Sequence, residues 1–215
     1  MNWATTVMAR PSVPVGQMQW TTPGTYSWTV PFGVTTISFA LVGAGQSGSV
    51  QYVDYQSLGY RGYGGMAGKY TFRNDVAVTP GQVITVVVGS GGTNGSGSAA
   101  VAGDGGGLSS FAGVTVPGPS GTMSYGPASG SKYGNDSGTG AIPNGTGING
   151  TGAGVDLKTG LAVARVGLNG ALCGGGGTGT RSGSSSSKTK GGDGGVRVIW
   201  GPGRAFPFTQ TGDLS

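Results

Sequence analysis

Few groups in this chain can transfer protons or bind metal: seven aspartates, at positions 54, 75, 104, 136, 156, 193 and 213, one cysteine, Cys173, and eight tyrosines. Glutamate and histidine are absent. Without histidine there is no imidazole base near neutral pH, no imidazole metal ligand and no Cys–His nucleophile, and a single cysteine closes no intrachain disulfide. A glycoside hydrolase needs two carboxylates at a fixed separation. No two aspartates here stand at a spacing that joins them locally, and most sit beside Gly or Asn, as turn formers do. Asp104 and Asp193, each followed by glycine, are the residue types of a calcium loop, but the repeated Asp/Gly pattern of calcium-binding β-rolls is missing. Cys173 lies between Leu172 and four glycines with no local cation, which fits a small buried hydrophobe. These residues point away from an enzyme and from a metal or other cofactor.

Gly43-Ala-Gly-Gln-Ser-Gly48 spells G-x-G-x-x-G after an expected strand. Residues 49–65 then show β-branched and aromatic types without a helical period, so the helix whose N-terminus would hold a phosphate is missing. Gly68-Lys69 is followed by Tyr70 rather than Ser or Thr, and so fails as a phosphate loop. Tyrosine is left. Tyr52, Tyr55, Tyr60 and Tyr63 crowd a glycine-rich loop around Arg61, and Tyr125 and Tyr133 fall further on. Tyr in a Gly/Ser setting is the composition of adaptable recognition loops and suits sugars. The same rings would equally serve as packing lids over glycine backbone, and the residues alone leave both uses open.

With 50 glycines and 11 prolines in 215 residues, the elements that position these groups are not helical bundles. Hydrophobic residues still make up 35% and cluster, so part of the chain packs. The formal charge of +5 would favour contact with anionic surfaces, but with the basic residues dispersed a mild solubility charge is the better reading. The cations are dispersed without a polybasic run, so no nucleic-acid partner is expected, and no apolar stretch approaches the roughly 18 residues of a membrane span. The N-terminus lacks the basic and apolar regions of a signal peptide, which fits synthesis in a cytoplasm.

Residues 1–19, with Pro11, Pro14 and Gly16, read as an attachment arm carrying Trp3, Val7, Met8 and Val13. Residues 20–117 read as a β unit. Thr25–Val30 and Thr35–Val42 are expected to be two strands joined by a short turn at Pro31-Phe-Gly33, and Pro80-Gly81 to reverse the chain before Val83–Val88. In the tract 118–192 glycine approaches one residue in three without the fixed register of collagen. Leu157, Leu161, Val163, Val166, Leu168 and Leu172 favour packed extended segments there over a solvated linker. Residues 193–201 supply a closing strand, and 202–215 a tail able to pack on a neighbouring subunit, with Arg204 at the edge of a turn.

Trp28-Thr-Val-Pro-Phe-Gly-Val-Thr-Thr-Ile-Ser-Phe, Leu41-Val-Gly-Ala-Gly, Val78-Thr-Pro-Gly-Gln-Val-Ile-Thr-Val-Val-Val-Gly-Ser-Gly-Gly and the closing Val196-Arg-Val-Ile-Trp-Gly, with the ending Arg204-Ala-Phe-Pro and Thr211-Gly-Asp213, resemble the glycine-rich domain of bacteriophage tail fibre and tail appendage proteins. The resemblance covers residues 20–213 in outline. It implies an all-β fold, a small antiparallel β-sandwich-like domain with a glycine-rich, extended, polyglycine II-like insertion. It also implies a non-enzymatic virion structural protein of the tail, assembled in the bacterial host cytoplasm. Such a protein is expected to be a homotrimer, joined to other virion tail proteins by its arm. As a tail fibre or adhesin component it would meet host surface glycan through Tyr52, Tyr55, Tyr60, Arg61, Tyr63, Tyr125 and Tyr133. The alternative is a purely architectural baseplate, neck or head decoration protein.

Overall fold

The computed structural model describes residues 14–53, 59–97, 103–119, 154–157, 162–163, 173–174, 176–177, 179–182, 185–207 and 209–214, and of residues 51–53, 59–63, 154–155, 162–163, 179–182 and 185–187 the backbone alone. These residues form strands and no helix. In chain order the strands are β1 (Gly16–Trp20), β2 (Gly24–Thr29), β3 (Thr36–Val42), β4 (Ser49–Val53), β5 (Gly59–Tyr63), β6 (Tyr70–Ala77), β7 (Val83–Val88) and β8 (Gly95–Gly97). There follow β9 (Ser109–Phe111), β10 (Val114–Val116), β11 (Gly154–Val155), β12 (Ala162–Val163), β13 (Gly179–Ser182), β14 (Ser185–Lys188) and β15 (Gly195–Trp200).

Two antiparallel sheets, β1-β15-β3-β6 and β10-β9-β7-β2, form a small β-sandwich. Trp28, Ile84, Val86 and Phe111 from one sheet meet Phe39, Leu41, Val196 and Val198 from the other. Phe111 stands edge-on to Phe39, 5.0 Å between centroids, a geometry aromatic pairs prefer. The first sheet is covered on its other face too, where Ala40, Val42, Phe72 and Ile199 pack with Leu157 and Phe206. Hence β3 is almost continuously apolar, as a strand buried on both faces must be, while β2 alternates, with Ser27 and Thr29 exposed on either side of buried Trp28.

The two expected reversals do not close hairpins. β2 pairs with β7, and β3 with β6 and β15, so the turns at Pro31–Gly33 and Pro80-Gly81 carry the chain from one sheet to the other. The physical reason is at Val30 and Val34, both buried in the inter-sheet core, which draw the connection across the gap. The two corners are tied together: the Val30 N–H donates to the Gln82 carbonyl, and the Gly81 N–H donates to the Val30 carbonyl, each at 2.9 Å. Gly16–Gln19, within the expected arm, belong to β1, with Gly16 opposite Trp200. Trp3, Val7, Met8 and Val13 lie outside the described residues.

At the sandwich end away from these corners, the strands run on into glycine-rich segments 43–48, 64–69, 89–92, 103–107, 117–119 and 189–194, joined by residues 174, 176 and 177. The N–H groups of residues 43–48 address three neighbours in rotation. Gly43 donates to Lys69, Ala44 to Gly107 and Gly45 to Gly192; then Gln46 donates to Met66, Ser47 to Asp104 and Gly48 to Thr189, at 2.8 to 3.2 Å. Three residues per turn with no internal hydrogen bonds is the geometry of the polyproline II class, to which polyglycine II belongs. The same step of three joins Gly65 and Gly68 to Gly177 and Gly174, and Gly191 and Gly194 to Gly92 and Gly89. A Cβ at Gly68 would overlap the Gly43 carbonyl oxygen, and one at Gly106 that of Ala44. Glycine is needed where a segment faces a neighbour's carbonyl, and Gln46, Ser47 and Met66 fill other positions, so no long all-glycine run is required. The polyglycine II-like packing expected within 118–192 is therefore built largely by residues 43–107, and much of that tract lies outside the described residues.

Candidate functional site

β4 continues from segment 43–48 and β5 leads back into 64–69, so the tyrosine-rich stretch is a hairpin standing on the glycine lattice. Its register sets Tyr52 opposite Tyr60, Gln51 opposite Arg61 and Ser49 opposite Tyr63. Cross-strand partners lie ~4.5–5.5 Å apart at Cα. The sequence-predicted Tyr52, Tyr60, Arg61 and Tyr63 are thus gathered on one small element, whereas Tyr55, Tyr125 and Tyr133 lie outside the described residues. The base of the hairpin is anchored by Val50 and Ser49, both buried. A second sheet, β13-β14-β8, packs against it through β13 and β14.

One ion pair fastens this region to the lattice and a second lies within the lattice. Buried Lys188 at the end of β14 meets the Asp104 carboxylate at 2.8 Å, and Asp104 also accepts a hydrogen bond from the Thr93 hydroxyl. Lys188, and then Thr93, hold the Asp104 carboxyl below the usual aspartate range. Asp193 accepts from the Gly91 N–H at 2.9 Å and pairs with Lys190 at 2.6 Å. Asp104 and Asp193 therefore serve the lattice, and among the described residues no three Cys, Asp or other ligating side chains converge on a metal position. Burial, and then Asp193, push the Cys173 thiol up to about 11, so it is protonated at neutral pH and packs beside the outer cluster of the first sheet.

A family model described as a glycine-rich domain matches residues 21–207, which take in every strand of the two sheets except β1 together with the lattice segments at their end. The chain belongs to that glycine-rich domain family. No curated protein matches the sequence.

In this glycine-rich domain the opposite end carries a feature that sequence reasoning missed. Arg204, expected at the edge of a turn, is only 5% exposed. Its Nε donates to the Gln210 carbonyl at 2.8 Å, its Nη1 to the Gly16 carbonyl at 2.5 Å, and its Nη2 to Gln17 Oε1 and the Gly212 carbonyl at 2.9 and 2.6 Å. Arg197, 1% exposed, donates from Nη1 to Gln19 Oε1 and from Nη2 to the Thr211 carbonyl and the Asp213 carboxylate. The tail thus packs on β1 and β15 of its own chain. Burial, then the neighbouring Arg197 guanidinium, lower the Arg204 pKa, but an arginine stays charged at any physiological pH. The available signal was Arg197 itself: an arginine inside Val196-Arg-Val-Ile-Trp200 is buried only when paired.

Proposed function

We propose that this glycine-rich domain is a non-enzymatic structural protein of a bacteriophage virion, a tail fibre or adhesin component that contacts the host cell surface. The reading is supported chiefly by the separation of its two ends. The N-terminal residues enter β1 beside Trp200 at the sandwich end. The hairpin with Tyr52, Tyr60, Arg61 and Tyr63 stands beyond the lattice at the other. An appendage needs that polarity, with one end for the particle and one for the receptor. A hairpin held on a hydrogen-bonded lattice also loses less freedom on binding than a free loop.

In this reading the arm joins other virion tail proteins, the domain assembles as a homotrimer, and weak contacts to surface glycan are multiplied by copy number. Labelled wild-type protein is expected to bind host cells saturably, with competition by isolated surface glycan and loss of binding in Tyr60→Ala/Tyr63→Ala. A folded, assembled protein that binds no host cell leaves the architectural reading. Phe32 and Val83, 94% and 64% exposed at the arm end, favour that one, as apolar surface for another virion protein.

A further inference from the structure

β6 ends one sheet of the sandwich and β10 ends the other. Between these two edge strands lies a cleft of about 190 Å3, whose lining includes Lys69, Thr71, Arg73, Val114, Val116 and Pro117 and, among the described residues, no carboxylate. Lys69, Thr71 and Arg73 alternate along the chain, so they share a face. Thr71 and Arg73 are opposite Leu41 and Phe39, which belong to the inter-sheet core. That register turns two cations and a hydroxyl into the gap between the sheets.

Arg73 is already oriented. Its Nη1 donates to Thr71 Oγ1 at 3.4 Å and to the Phe72 carbonyl at 3.1 Å. Among the described residues its Nε and Nη2 make no hydrogen bond, and these are the parallel donors that grip an oxyanion in a two-pronged fork. Drug-sized ligands occupy clefts of ~300–1,000 Å3, so the volume here suits one sugar ring rather than a chain of them. The apolar wall of Val114, Val116 and Pro117 completes surroundings for a C–H face, beside the Thr71 hydroxyl.

We propose that the cleft between β6 and β10 binds an anionic sugar residue of a surface polymer, with the Arg73 guanidinium taking its carboxylate or phosphate. The proposal rests on the adhesin reading and gives the receptor a chemical class, at a site separate from the tyrosine hairpin.

The test is titration of the assembled full chain, followed by calorimetry, with three probes: a glucuronic acid oligosaccharide, a glycerol phosphate oligomer and neutral maltotetraose. At least one anionic probe is expected to bind, more weakly as salt is raised, and maltotetraose is not. The two anionic arms tell carboxylate from phosphate. Lys69→Gln/Arg73→Gln is expected to weaken binding about tenfold or more. Val114→Trp, at a lining position on the face of β10 turned to the gap, is expected to do the same. The proposal is overturned if neither anionic probe binds at millimolar concentration, or if binding is equal in both variants and the wild type. Cell binding that is lost in Tyr60→Ala/Tyr63→Ala and unchanged in both cleft variants also overturns it, while keeping the adhesin reading. Probe binding in the cleft by a protein that attaches to no host cell overturns the adhesin reading alone.

Discussion

The sandwich and the glycine lattice fill their interiors by opposite means. Between the two sheets, Trp28, Phe39 and Phe111 hold the backbones apart, about 10 Å for packed sheets, and stability comes from apolar area removed from water. In the lattice the backbones come together until one chain's carbonyl oxygen lies where its neighbour's Cβ would be. There stability comes from satisfied N–H and C=O groups, each worth about 1 kcal/mol net, set against the large entropy glycine loses on ordering. The difference teaches that sensitivity to substitution follows what fills the space. A side-chain core suffers most from deletion, and a backbone lattice from addition.

The largest expected effect is on the deletion side. Phe111→Ala leaves a void against Phe39 and Trp28 and should destabilise the domain by about 3–5 kcal/mol in chemical denaturation. A loss below about 1 kcal/mol would show that the sandwich is not where stability resides. On the addition side, Gly68→Ala inserts a single methyl group into the Gly43 carbonyl and should destabilise by about 3 kcal/mol, the top of the usual overpacking range. Gly212→Ala, where a Cβ meets nothing within 4 Å, should stay within about 0.5 kcal/mol. Equal losses in these two alanine variants would break the comparison.

The tail latch sharpens it from a third direction, because there a charged side chain satisfies backbone carbonyls. Arg204→Met leaves the Gly16, Gln210 and Gly212 carbonyls without their donor and should destabilise by about 2 kcal/mol, with faster proteolysis of residues 202–214. The weakest of the stabilising contacts is Lys188–Asp104. A carboxylate whose folded pKa is lowered stabilises the fold above its unfolded value of about 3.9, and that contribution is lost as pH falls through the lower folded value. Asp104 is 47% exposed, so solvent screening holds the contribution below about 1 kcal/mol. The stability gap between wild type and Asp104→Asn should therefore be measurable near neutrality and close as pH falls through the lowered folded value.

Strand positions were legible in the sequence because they depend on local pattern. Thr36–Val42, Val83–Val88 and Gly195–Trp200 carry β-branched runs that only a sheet uses well. Strand partners were not. Pro31-Phe-Gly33 signals a change of direction, but which sheet the chain joins next is decided by the burial of Val30 and Val34, a tertiary effect. The lattice was hidden for a related reason: the three neighbours of residues 43–48 lie up to about 150 positions away, so their shared period appears in no single stretch of sequence. The same Gly43-x-Gly45-x-x-Gly48 spacing that imitates a dinucleotide fingerprint is the middle of that lattice. Of the candidate site, the clustering of Tyr52, Tyr60, Arg61 and Tyr63 was visible, but their arrangement as a hairpin was not, since the stretch reads as a loop. Lys69 and Arg73, four apart on an alternating segment, share a face by arithmetic alone. That a second sheet edge stands opposite them is known only from the fold.

The rotation of hydrogen bonds around residues 43–48 has a mechanical consequence. Tension applied between the arm end and the hairpin end runs along these segments, across bonds that point sideways to three neighbours. The six bonds share the load in shear and have to slide together, whereas a ribbon peeled from its tip opens one bond at a time. A protein stretched between a particle and a cell would carry force through this region as a cable carries it through many strands.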